Sequence, residues 1–154
     1  NRIVFAVSKM KFYITGTRRG LGKELYELLP TVDTLEECDI FINNKHDGYT
    51  QVEKLFKAVS LNKRTISLGS RASDYNGIDG NSPFVYAIEK KALRSANEQL
   101  YNMGHNVTCL NFGYFDTERS ADIDIPKMDL SYVITVILWV IKQEHRVKEI
   151  TISV

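Results

Sequence analysis

The chain has 154 residues, a formal charge of +1, and 44% hydrophobic against 25% charged residues. That is the balance of one soluble globular domain with a single core. It excludes a disordered chain, a collagen-like repeat and a disulfide scaffold, and it leaves no global field to draw in nucleic acid or an anionic membrane. The two cysteines, Cys38 and Cys109, lie in or beside apolar runs and read as buried free thiols of a reducing compartment. The three histidines are scattered, so no metal site is expected. The longest apolar run, residues 132–141, is about half of a membrane-spanning helix, and residues 3–7 are too short for a signal-peptide core. These features predict a cytoplasmic protein.

Along the chain, β-rich apolar runs alternate with helical patterns, the sign of a parallel α/β sheet. Residues 1–9 read as an extension upstream of Met10 or as an extra edge strand. Residues 11–15 (KFYIT) are a strand, and 21–29 a helix with Leu21, Leu25, Leu28 and Leu29 on one face. Residues 39–43 (DIFIN) are a buried strand. Residues 49–59 are a helix with Val52, Leu55, Phe56 and Val59 inward, and 65–69 the next strand. Residues 70–82, rich in Gly, Asn, Asp and Ser, form a loop. Pro83 suits the first position of a helix running to Met103, and Gly104 suits the place after its end. A strand at 107–112, a loop at 113–130, a helix at 130–142 and a strand at 149–154 complete the series. At least five strands result, all expected to be joined by right-handed crossovers.

Three features carry chemistry. Thr15-Gly16-Thr17-Arg18-Arg19-Gly20-Leu21-Gly22 links a strand to a helix. Its glycines allow a tight turn and close approach of a pyrophosphate to the unpaired N–H groups of the helix end; without a ligand it is simply a glycine-rich turn. Tyr86 and Lys90 stand four apart on one helical face. An ammonium there favours phenolate and lowers the tyrosine pKa toward that of a working acid/base, although the same spacing also arises as an ordinary surface pair. Ser70 directly follows a strand, where ligands bind in parallel sheets, and its hydroxyl can donate to a substrate oxygen. Ser73 is a rival for that role.

In this order and spacing, these residues resemble the short-chain dehydrogenase/reductase family over residues 10–154. Asn43-Asn44 stand where the family carries Asn-Asn-Ala-Gly, and residues 112–117 (FGYFDT) look like its Pro-Gly-x-x-x-Thr segment. The resemblance implies a single NAD(P)-binding domain over 10–154: a Rossmann-like, doubly wound parallel sheet in three layers, α/β/α, shortened. It implies an NADP(H)-dependent oxidoreductase interconverting a carbonyl and an alcohol. Ser70, Tyr86 and Lys90 would be catalytic: Tyr86 the acid/base, Lys90 its support and a ribose ligand, Ser70 the orienting donor. The cofactor would be bound by Thr15, Gly16, Arg18, Arg19, Gly20, Leu21, Gly22, Asn43, Asn44, Gly113 and Thr117.

The chain departs from the family in being far shorter, and the loss falls after the first helix. Only residues 30–38 precede the second strand, with no room for the two strand–helix units that normally intervene. The acidic ribose ligand expected about 20 residues after the glycine turn has no clear counterpart; Asp33 reads as its remnant or as a helix cap before Leu35. With no acidic clamp, and with Arg18 and Arg19 able to fork onto a 2′-phosphate, NADP(H) is favoured over NAD(H). Lys45-His46 replace Ala-Gly, and Phe112 replaces the proline of Pro-Gly. The helix Asn that completes the family's proton relay has no place, Asn62 sitting at a helix end. A short loop after Thr117 predicts a shallow, open substrate site. Ala87, Ala92 and Ala96 on the Tyr/Lys helix suggest a homo-oligomer. The alternative reading is a catalytically weak or inactive dinucleotide-binding sensor or assembly protein. An epimerase-like enzyme would need a C-terminal substrate region.

Overall fold

In the computed structural model, which describes residues 9–74, 84–117, 120–122 and 124–154, the alternating runs pair into one sheet of parallel strands. The elements are β1 (Phe12–Ile14), α1 (Gly20–Leu28), β2 (Ile40–Asn43), α2 (Thr50–Ser60), β3 (Arg64–Leu68), α3 (Val85–Asn102), β4 (Val107–Phe112), α4 (Leu130–Ile141) and β5 (Glu149–Ile152). A 3-10 turn, Arg71–Asp74, follows β3. The strands lie in the order β1-β2-β3-β4-β5. Expected features at residues 1–8, at Pro83, in most of the 70–82 loop and in part of the loop after Thr117 lie outside the described residues.

Alternation along each strand sends side chains to opposite faces, and each face meets its own helices. Phe12, Ile40, Ile42, Ile66, Leu68 and Leu110 pack against Leu21 and Leu25 of α1 and Val133, Ile137 and Val140 of α4. On the other face, Val107 and Cys109 meet Leu55 of α2 and Leu93, Ala96 and Leu100 of α3. Every residue of β2 and β4 is buried, as expected of a sheet covered on both sides. The result is the three-layer α/β/α arrangement. Two residues expected inward are not: Phe56 is 43% and Leu28 53% exposed. The inward line of α2 is Gln51, Leu55 and Ala58, spaced by four and three, and Phe56 lies about 100° off it. Ala87 and Ala96 also face inward, so they are not part of a free surface for association.

The hand of the crossovers follows from strand order and helix side. The steps β2–α2–β3 and β3–α3–β4 go the same way with their helices on one face, so they share a hand. The step β4–α4–β5 goes the same way with its helix on the opposite face, so its hand is opposite. Since the shared hand is right-handed by strong general preference, the last crossover is left-handed, contrary to expectation. The cause is coverage. The α2/α3 face already carries two helices, whereas Ile66, Leu68 and Leu110 on the other face would be bare without α4.

The first crossover is less simple than strand order implies. Phe12 donates its N–H to the Pro30 carbonyl and accepts from the Val32 N–H, both at 2.9 Å. Thr31 thereby forms a parallel bridge to Phe12. Lys11 bonds on the opposite side, toward β2, its carbonyl accepting from the Asp39 and Ile40 N–H groups. Residues 30–32 are thus a one-bridge strand on the outer edge of β1. The chain leaves β1 outward through α1, and residues 33–39 return on the α2 side, where Leu35 and Cys38 pack with Phe41 and Ala58. The direction of winding reverses at β1, which opens a crevice at the carboxyl ends of β1 and β2. Val32→Pro removes the bridge's amide donor. It is expected to lower stability by about 1–3 kcal/mol in urea denaturation; an unchanged midpoint would mean that the bridge contributes nothing.

Candidate functional site

The glycine turn lies at the mouth of that crevice. Gly16 has φ +108° and Gly20 φ +51°, conformations that side chains rarely adopt. Gly22 has ordinary helical geometry, but a Cβ there would collide with the Thr17 carbonyl. The turn feeds the N-terminus of α1, which has no side-chain cap and no acidic residue in its first turn. Its amides therefore face outward in the manner of an anion cradle. Thr15 is buried, and its Oγ1 accepts from the N–H groups of Asn44 (3.1 Å) and Lys45 (3.2 Å), joining the ends of β1 and β2. A Cβ on Gly16 would lie 3.1 Å from Asn44 Nδ2, and one on Gly20 3.2 Å from Thr117 Cγ2. Thr15, Gly16, Gly20, Asn44 and Thr117 are thus brought together.

Two of the expected cofactor residues, Asn43 and Gly113, lie elsewhere. Asn43 is fully buried, donating to the Gln51 carbonyl (2.8 Å) and to Ser67 Oγ (3.1 Å). Leu21 sends its side chain into the core while its backbone stays in the first turn of α1. Gly113 sits against β5, where a Cβ would press on Ser153 at 3.2 Å. Arg18 and Arg19 are both exposed. The Arg18 guanidinium stands 3.1 Å above the ring centre of Tyr26. The Thr31 hydroxyl, and after it Arg18, lower the Tyr26 pKa. The turn before β2 is capped by Thr34, which donates to Glu37 Oε1 (2.7 Å) and accepts from the Glu37 N–H (3.3 Å). Asp33 is not the cap; it stays exposed beside the end of the one-bridge strand.

Across the crevice, Tyr86 and Lys90 share one face of α3. Tyr86 stands at the rim, 37% exposed, and Lys90 is 3% exposed. The Lys90 ammonium lies 5.5 Å from the Tyr86 ring centre. It donates to Gln51 Oε1 (2.8 Å) and to the Leu68 carbonyl (3.0 Å). Gln51 Nε2 in turn donates to the carbonyls of Asn43 (2.8 Å) and Leu68 (3.0 Å). Burial lowers the Lys90 pKa to about 8. Burial also pushes the Cys109 thiol up to about 12, which leaves it inert as a nucleophile.

Ser70 follows Leu68 by two residues. Its Oγ accepts from the Ala72 N–H (3.0 Å), and the hydroxyl proton remains its own to donate. Ser73, the rival, is buried and donates to the Ser70 carbonyl (2.7 Å) while Arg94 donates to it (3.2 Å). Arg94 also pairs with Asp74 and Glu149, fixing the turn behind Ser70 to α3 and β5. Gly69 is required beneath, since a Cβ there would collide with Asn111 Oδ1 and approach Cys109 Sγ to 2.9 Å. Sequence reasoning missed Gln51 and the placement of His46. Gln51 could have been found as the polar member of the inward line of α2. His46 sets its ring edge-on to Tyr86, with centroids 4.7 Å apart. Asn62 has φ +58° and lies with His105 and Asn106 at the opposite end of the sheet.

The buried ammonium has a measurable signature. The folded Lys90 titrates near 8 and the unfolded one near 10.5, so between those values the unfolded chain binds more protons and stability rises with pH. The rise, at most about 3 kcal/mol, is expected in denaturation curves taken across that window and should vanish in Lys90→Met.

No family model matches the sequence, and no curated protein sequence matches it either. The fold has many counterparts among solved structures. A short-chain dehydrogenase from Burkholderia cenocepacia in complex with NADP aligns with TM-score 0.69 at 14% identity, over 100% of this chain and 98% of that one. A 3-oxoacyl-[acyl-carrier protein] reductase from Brucella melitensis aligns with TM-score 0.67 at 16% identity, over 96% and 90%. A 4-hydroxyisoleucine dehydrogenase complexed with NADH aligns with TM-score 0.64 at 12% identity, over 94% and 97%. The chain has the fold of the short-chain dehydrogenases and reductases.

Proposed function

We propose that the chain is an NADP(H)-dependent oxidoreductase that interconverts a carbonyl and an alcohol in a small molecule. The observation that carries this reading is the buried Lys90, tied to Gln51 and Leu68 one helical turn from Tyr86, with Ser70 at the neighbouring strand end. An ammonium with no chemical task would not be expected at 3% exposure. The dinucleotide fits on local grounds. The α1 N-terminus is uncapped, and the turn is a cradle that a Cβ at Gly16, Gly20 or Gly22 would fill or strain.

The cofactor would supply the hydride; the chain supplies position and proton control. Gly16, Gly20 and Gly22 would admit the pyrophosphate to the helix amides, and Thr117 would close over it. Tyr86 passes a proton to or from the substrate oxygen, and Ser70 donates a hydrogen bond to the same atom. Of the three donors on the Lys90 ammonium, two are engaged by Gln51 and Leu68. The third is left for the ribose, while its charge favours the Tyr86 phenolate. The Burkholderia structures hold NADP, and Arg18 and Arg19 at the turn support that preference. Asp33 at the end of the one-bridge strand would oppose a 2′-phosphate, so Arg19 is the decisive position.

Two measurements test the reading. Gly20→Val should abolish NADPH binding in calorimetry, and Arg19→Ala should weaken NADPH about tenfold or more relative to NADH, as for loss of a charged hydrogen bond. Turnover is then sought on a panel of small aldehydes, ketones and quinones. Tyr86→Phe should lower it by about 10²–10⁴-fold with an unchanged circular dichroism spectrum. The one-bridge strand, the one pairing on the outer edge of β1 among the described residues, favours a second reading as a dinucleotide-binding sensor. Tight NADPH binding with no turnover across the panel would put that reading ahead, and retention of turnover by Tyr86→Phe would end the proposed mechanism.

A further inference from the structure

The triad is not alone in its corner of the crevice. His46, on the loop after β2, meets the Tyr86 ring at 4.7 Å with the two planes at 63°. Its Nε2 stands 3.7 Å from Glu89 Oε1, on the same helix as Tyr86 and Lys90. Its Nδ1 is buried and makes no well-aligned hydrogen bond among the described residues. The side chain nevertheless keeps 24% of its surface open, enough to exchange protons with solvent.

The groups around the imidazole come from each element packed on it: Tyr86, Glu89 and Lys90 from α3, the Gln51 amide from α2, and Asp47 on its own loop. Burial, and after it the Lys90 charge, oppose the imidazolium; Glu89, Gln51 and Asp47 favour it, and the balance lies below the ordinary value. Its pKa is thus held below that of an ordinary imidazole, and the ring gains its charge as pH falls.

We propose that His46 is a positioning residue for Tyr86: when it takes up a proton, its charge beside the phenol favours phenolate and extends the ionised fraction of Tyr86 into mild acid. This rests on the reading of Tyr86 as the acid/base. The balance is a single proton, taken from solvent by His46 and returned to it; the phenol proton goes to solvent, and no other bond changes. The effect is on slope. A phenol with no titrating neighbour loses phenolate tenfold per pH unit below its pKa. One whose neighbour gains positive charge as pH falls loses it more slowly across that neighbour's titration.

The test needs neither cofactor nor substrate. An aryl sulfonyl fluoride reacts with phenolate, whose oxygen bonds to sulfur as fluoride leaves. The initial labelling rate at Tyr86 is read by peptide mass spectrometry from about pH 5 to 8. Wild type should lose rate by less than tenfold per pH unit at the acid end. His46→Asn and the longer His46→Gln should both lose the full tenfold and end about tenfold slower than wild type. Coincident slopes in wild type and both variants would overturn the proposal. In parallel, the His46 imidazole resonance, identified by its loss in His46→Asn, should titrate higher in Lys90→Met and lower in Glu89→Gln. A midpoint unmoved by either change would equally overturn it. Absence of turnover on any carbonyl would count against the oxidoreductase reading alone and would leave these slopes to be judged by themselves.

Discussion

One buried ammonium organises the carboxyl end of the sheet. Lys90 is held by an amide from α2 and a carbonyl from β3. The same Gln51 amide also reaches the Asn43 carbonyl at the end of β2. Taking an ammonium out of water costs several kcal/mol unless its N–H groups find partners, so each link in this network is needed by the others. Asn43, Gln51, Ser67 and Lys90 therefore fix how the ends of β2, α2, β3 and α3 meet. Ser70 and Tyr86 are positioned because they lie within a turn of residues so constrained. The crevice wall is built around the charge.

The opposite wall rests on steric and dipolar factors. The glycine turn leaves the helix N-terminus without a side-chain cap or an acidic residue in its first turn, and Thr15 ties it to the second strand. Its two ends touch Asn44 and Thr117 closely enough that a methyl group would intrude. One wall is thus electropositive backbone and the other a charged side chain. Both face a gap that the reversal at β1 opens.

The elements were legible because their periods are clean: each of the nine strands and helices lies within about two residues of the run that announced it. The glycine turn and the Tyr86/Lys90 pair were legible because each depends on residues close in sequence. The left-handed crossover was not, since handedness depends on which face remains uncovered, a property of the whole sheet. The one-bridge strand at Thr31 was too short for any period to register. Asp33 reads from the sequence as a ribose-ligand remnant or a cap, and the cap's place belongs to Thr34, one residue on, because only the backbone path decides which oxygen reaches the Glu37 amide. Gln51 and His46 matter through partners on α3, far away along the chain, and no local pattern marks them.

The strand order has a consequence for assembly. Each strand of the sheet pairs with the strand that precedes it in the chain, and the edge bridge at Thr31 closes only the short loop through α1. Among the described residues no strand waits for a partner made much later. Contact order is correspondingly low for a parallel sheet, and loop-closure entropy is met in small steps. A chain emerging from the ribosome can add one strand–helix unit at a time to a growing edge. The described sheet is a topology that builds outward from β1, one neighbouring strand at a time.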